Sequence, residues 1–68
     1  MELFSFTDAW DLMGQGKKMK PLFEKDLPYH YERDGKKFYL CLGKVRGELK
    51  EVPVKIIYSK WFEVESVK

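Results

Sequence analysis

The chain has 68 residues, 44% of them hydrophobic and 16% aromatic, and 13 basic against 11 acidic side chains leave a net charge of +2. That apolar content excludes a disordered chain, and so small a positive excess argues against a surface selected for duplex nucleic acid or an anionic membrane. One domain spanning residues 1–68 is expected, with a core small enough to gain from oligomerisation.

In chain order, the first element is a helix. Ser5 and Asp8 have capping-box spacing, with a hydroxyl placed to accept an amide of the first turn. Phe6, Ala9, Trp10 and Met13 fall at i, i+3, i+4 and i+7, one apolar stripe of a short amphipathic helix. Gly14 or Gly16 is expected to stop it in the left-handed conformation, with Lys17 and Lys18 beyond the negative end. A loop that cradles phosphate places its glycines before a helix, where free amides point at the anion; here they follow one. The glycines are therefore read as a helix stop.

Strands follow. Lys17 to Phe23 suits a strand, closed by the loop EKDLP, residues 24 to 28. YHYERDGKKFYLCLG, residues 29 to 43, reads as a hairpin turning at Asp34-Gly35. That turn sets Arg33 against Lys36, Glu32 against Lys37, Tyr31 against Phe38 and His30 against Tyr39. Tyr29, Tyr31, Phe38, Leu40 and Leu42 then share the face that packs on the helix. The segment GKVRGELKE, residues 43 to 51, is expected to be a turn or hairpin end, and EVPVKIIYS, residues 51 to 59, an alternating strand with Pro53 at an edge or bulge. WFEVESV, residues 61 to 67, gives a terminal strand. The expected fold is α+β: a short N-terminal helix packed on an antiparallel sheet of four to five strands, the helix first and then a meander.

The start MELFSFTDAW has an acidic second residue and no long apolar run, so neither a signal peptide nor a membrane span is expected. A single cysteine, Cys41, excludes an internal disulfide and fits a reducing cytoplasm. His30 is the only histidine, so no cluster of histidines can hold a metal within one chain. Cys41 and His30 lie on one face of adjacent strands, where contact is conceivable; a strand cysteine more often serves as a small packed hydrophobe than as a nucleophile. The carboxylates are scattered, and none has a second feature that would promote it to acid-base work. No enzyme, metal or cofactor is expected.

Binding is better supported. The chain has 11 aromatic residues, its five Phe, four Tyr and two Trp, and the cations Lys17, Lys18 and Lys20 enter the sheet. Aromatic faces beside positive charge are how proteins hold nucleotides. Trp10, Tyr29, Tyr31, Phe38 and Phe62 are assigned to the core, which leaves Phe23, Tyr39, Tyr58 and Trp61 for an open surface.

The pattern Phe6-x-x-Ala9-Trp10-x-x-Met13-x-x-Gly16-Lys17-Lys18-Met19-Lys20-x-x-Phe23, with SKWFEV at residues 59 to 64, resembles the small Thoeris anti-defence sponge proteins of bacteriophages. Those open with a short F-x-x-A helix, a glycine and a basic strand, and close with an acidic-Trp-x-V segment. Lys20 and Pro21 stand where that family has arginines, Phe23 where it has a tryptophan, and Lys60 where an acidic residue precedes the final tryptophan. The resemblance covers about sixteen residues at one end and six at the other. It implies a homo-oligomer in the host cytoplasm, with pockets at subunit contacts that sequester a cyclic ADP-ribose-type or other cyclic nucleotide signal without hydrolysing it. Carried over position by position, Phe23 and Trp61 would stack on the base and Lys20 would meet the phosphate. The alternative is a phage or prophage inhibitor that docks on a host protein through a sheet edge or an aromatic patch. A binder of single-stranded nucleic acid is disfavoured by the low net charge.

Overall fold

The computed structural model describes residues 1–64. Helix α1 (Phe6–Gly14) is followed by β1 (Met19–Pro21), a single 3-10 turn (Leu22–Glu24), β2 (His30–Asp34), β3 (Lys37–Leu42), β4 (Val45–Leu49), the one-turn helix α2 (Val54–Ile57) and β5 (Trp61–Glu63). The five strands form one antiparallel sheet in the order β4-β3-β2-β1-β5. The fold is thus α+β, with β1 to β4 in a meander and the chain then crossing back to lay β5 beside β1. Phe4 extends the sheet past β5 by exchanging backbone hydrogen bonds with Trp61, 2.8 Å in each direction. The expected terminal strand is present as far as Glu63; its expected continuation through Val67 lies outside the described residues.

The start and stop of α1 follow the sequence signals. The Asp8 amide donates to Ser5 Oγ at 3.2 Å, which satisfies one of the free donors of the first turn. At the other end Lys17 N–H reaches Leu12 O at 3.1 Å and Gly16 N–H reaches Met13 O at 3.0 Å, the paired bonds of a Schellman stop. Gly16 carries the positive φ of 93° that this stop requires. Gly14 stays helical and serves another purpose, because the Arg33 guanidinium lies where a β-carbon would stand. From there Arg33 donates Nε–H to Trp10 O at 2.8 Å, and its guanidinium carbon sits 4.7 Å from the Trp10 ring centroid. A strand side chain thereby ties the sheet to the carbonyl end of α1.

The β2–β3 hairpin turns one residue later than the sequence suggests. Asp34 pairs with Lys37, Arg33 with Phe38, Glu32 with Tyr39, Tyr31 with Leu40 and His30 with Cys41, so the loop is Gly35-Lys36. Gly35 has a φ of 62° and no other residue of the turn is positive, the pattern of a type II′ loop with glycine first. Each partner is displaced by two residues, so every side chain keeps its predicted face even though the pairs change. Lys37 therefore meets Asp34 and not Glu32.

Two further expectations are corrected. Val45–Leu49, read as a turn, is strand β4; the turn is confined to Gly43-Lys44, with Gly43 at a φ of 60°. The stretch 51–59, read as a strand, contains α2. Pro53, at a φ of −59°, caps that helix, since the ring presets the dihedral and the missing N–H would lack a helical partner there.

The core lies between α1 and one face of the sheet. It is formed by Ala9, Met13, Met19, Tyr31, Phe38, Ile56 and Trp61, with Phe4, Phe6, Trp10, Leu12, Tyr29, Leu40, Leu49 and Val52 packed around them. Tyr31 and Phe38 stack with ring centroids 5.2 Å apart. The Tyr31 hydroxyl donates to Glu24 Oε1 at 3.0 Å, which gives a buried carboxylate its partner. Burial first, and then the Glu24 carboxylate, push the Tyr31 phenol well above its ordinary pKa of 10.0. A folded-state value above the unfolded one means that folding holds this proton more tightly, so the contribution of Tyr31 to stability is level below about pH 10 and is lost as pH rises past it. Urea midpoints measured from neutral to strongly alkaline pH should show that loss. In Tyr31→Phe the alkaline slope should be shallower, while stability at neutral pH drops by about 1–3 kcal/mol because Glu24 loses its donor.

Candidate binding face

The three residues selected from the sequence are placed in two different settings. Trp61 is fully buried at 0% exposure, and its indole N–H donates to Ile56 O at 2.8 Å. Its ring lies 5.5 Å from Phe6 and 5.4 Å from Tyr31. Lys20 is 5% exposed, and its ammonium donates to the carbonyls of Lys25 and Leu27. That ammonium fastens the 22–28 segment to β1. Neither side chain presents a ring face or a free charge at the surface of this chain. Phe23 does, at 53% exposure, with the Lys55 ammonium 5.9 Å from its ring centroid.

Of the other rings left open by the sequence, Tyr58 is 84% exposed, whereas Tyr39 is half-buried beneath Arg46, whose guanidinium carbon stands 4.0 Å from its centroid. The assignments of the adjacent pair Trp61 and Phe62 are interchanged: Phe62, expected in the core, is half-buried on the opposite face of β5, where it faces Lys20. Strand alternation allows one of the two inward, and the pairing of Pro21 with Trp61 decides which.

Between α1 and the segment around α2 runs a shallow groove of about 280 Å³ lined by Phe6, Thr7, Trp10, Val52 and Ile57. It exists because α1 has a wide apolar stripe. Ala9 and Met13 are spent on the core, while Phe6 and Trp10, four residues apart with centroids 5.8 Å from each other, stand at the stripe's edge. On the far bank, α2 turns Ile56 inward and leaves Ile57 and Val54 exposed. The same short helix carries Lys55 to Phe23 and ends at Tyr58. The open aromatic and aliphatic side chains of Phe23, Val54, Ile57 and Tyr58 are thus grouped around one small element. Val52 and Ile57 are not evident from the sequence as part of this face, because four helical residues are too few to display a period; Pro53 ahead of an apolar run was the available signal.

A second hollow, about 490 Å³, lies beside β5 and is lined by Met1, Glu2, Phe4, Phe62 and Glu63. Its two charged lining side chains, Glu2 and Glu63, are acidic, and Glu63 lies 3.8 Å from the Lys17 ammonium.

On the face of the sheet away from α1, His30 and Cys41 are directly paired across β2 and β3, and Glu32 follows two residues along. His30 Nε2 lies 2.6 Å from Glu32 Oε2, and that hydrogen bond holds the carboxyl below its ordinary pKa. Burial, and after it the Glu32 charge, push the Cys41 thiol up. Both effects favour the protonated thiol, the less nucleophilic form. No helix among the described residues is long and apolar enough to cross a membrane.

Compared with family profiles, with curated proteins and with solved structures, the chain matches none.

Proposed function

We propose that this chain acts by binding a protein partner through the face formed by α1 and α2, as a small inhibitor of the phage or prophage type, and that it makes or breaks no bond. The observation that carries this reading is the groove lined by Phe6, Trp10, Val52 and Ile57 and continued by exposed Val54 and Tyr58. Apolar walls with an exposed tyrosine beside them suit an inserted hydrophobic side chain, because burying such a side chain gains free energy in proportion to the area removed from water. Tyrosine and isoleucine contribute rigid contact area with few torsions to immobilise.

A nucleotide reading has its own support. Phe23 is an exposed ring with a nearby ammonium, the pairing that stacks a base and meets a phosphate. In this reading Lys55 takes the part that the resemblance gives to Lys20, and sequestration of a cyclic nucleotide signal by a homo-oligomer stays the function it implies.

One pair of measurements separates the two. Ile57→Asp and Tyr58→Ala change exposed side chains and should leave the fold intact. Each should weaken capture of the partner by about tenfold or more relative to the unsubstituted chain, the usual cost of removing an anchor residue. Capture that survives both substitutions rejects this face. A rise in melting temperature with a cyclic nucleotide, lost in Phe23→Ala, decides for sequestration, because a ligand that prefers the folded state stabilises it by mass action.

A further inference from the structure

We propose that His30, Glu32 and Cys41 form a binding site for a single divalent transition metal ion of the zinc type, on the sheet face opposite α1. The imidazole, carboxylate and sulfur donor atoms of these residues all lie within 4.8 Å of one another. A tetrahedral zinc ion with ordinary bond lengths holds N and O donors about 3.3 Å apart and N and S donors about 3.6 Å apart. Rotamer adjustments on the order of 1 Å therefore close the site without moving the backbone.

The strands themselves set this geometry. His30 and Cys41 are register partners across two neighbouring strands, and Glu32 is the next residue of β2 on the same face. Donors on paired strands of a sheet are held more rigidly than donors on a loop. The late turn at Gly35-Lys36 matters here, because the register expected from Asp34-Gly35 would have set His30 opposite Tyr39 and moved the sulfur away.

Donor chemistry selects the ion. One nitrogen, one sulfur and one oxygen suit zinc and its neighbours; magnesium and calcium prefer oxygen alone. Thiolate and carboxylate together supply two negative charges to a divalent ion around a neutral imidazole. Arg46, the register partner of Cys41, opposes the ion with one positive charge: its guanidinium lies over Tyr39 and also within reach of Cys41 and Glu32, so it must swing aside when the ion binds. Three protein donors leave a fourth position open, the arrangement of sites that keep a water or accept a ligand atom. The His30 and Glu32 side chains are 15% and 33% exposed while Cys41 is buried, so an ion would enter at the imidazole and the carboxylate and meet the sulfur last. The 2.6 Å hydrogen bond between His30 and Glu32 would be exchanged for bonds to the ion.

The test uses the full chain with Co²⁺ and Zn²⁺ as probes. One equivalent of Co²⁺ should give thiolate-to-cobalt charge-transfer absorption together with the intense visible bands of a tetrahedral site, and one equivalent of Zn²⁺ should abolish both. Cys41→Ser should remove the charge-transfer band. His30→Gln, at a partly buried position outside the core cluster, should weaken Co²⁺ binding by more than about a hundredfold, beyond the 10–100-fold usual for a residue that only supports a ligand. Absence of the charge-transfer band in the unsubstituted chain at one equivalent overturns the proposal, and so does an affinity unchanged in His30→Gln. Because the unsubstituted chain gives the first reading, misfolding of a variant does not rescue the idea.

Discussion

Trp61→Ala is expected to leave the chain largely unfolded at 25 °C. The side chain is wholly buried, packs against Phe6 and Tyr31, and satisfies the Ile56 carbonyl through its indole N–H. Removing a buried tryptophan costs about 3–5 kcal/mol, because the lost contacts are compounded by the cavity left behind. A single core in a chain below about 70–80 residues supplies only about 3–5 kcal/mol in total. The backbone bonds between Phe4 and Trp61 would loosen with it, since the same residue holds the N-terminal segment against β5. Circular dichroism during urea titration measures the loss. A cooperative transition shifted by less than about 1 kcal/mol would show that the ring is dispensable to the core and free for some other use.

Lys20→Met is expected to destabilise the fold by about 1.5–3 kcal/mol, the range for hydrogen bonds made by a charged group. Methionine retains the length of the stem, so the packing of β1 is largely preserved while the donors to Lys25 and Leu27 vanish. The effect should be local as well as global. Amides of the short turns in this segment, Lys25 N–H to Leu22 O at 3.1 Å and Leu27 N–H to Glu24 O at 3.0 Å, should exchange with solvent faster in the variant. Undiminished stability and protection would mean that the ammonium is available to a ligand after all.

These two residues also mark the limit of what the chain discloses before it folds. The α1 stripe, its Ser5 cap, its Gly16 stop and the division of the β2 and β3 side chains between two faces were all readable, because each is governed by neighbours a few residues away. Long-range pairing was not. Whether Trp61 or Phe62 points inward depends on β5 docking against β1, some forty residues earlier in the chain. The burial of Lys20 depends on the 22–28 segment folding back over its ammonium, which composition cannot disclose. In the stretch 51–59, alternation of apolar residues imitated a strand, and Pro53 was read as an edge residue when it was a helix cap. β4 was missed for the opposite reason: Val45–Leu49 is mostly exposed, and a strand with little to bury has little apolar pattern to show. The proposed binding face suffers from the first of these effects, since half of it comes from α2. The donor trio on the other sheet face was half visible, as His30 and Cys41 were placed on adjacent strands. Only the corrected register made them partners and brought Glu32 into the set.

The most direct measurement is a two-dimensional NMR titration of isotope-labelled chain with the partner protein that the proposed function requires. The account predicts shifts concentrated at the Trp10 indole, the Val52 and Ile57 methyls and the Tyr58 ring, with Trp61 little changed. Shifts confined to the β4 edge, Val45–Leu49, or to the hollow beside β5 would contradict it.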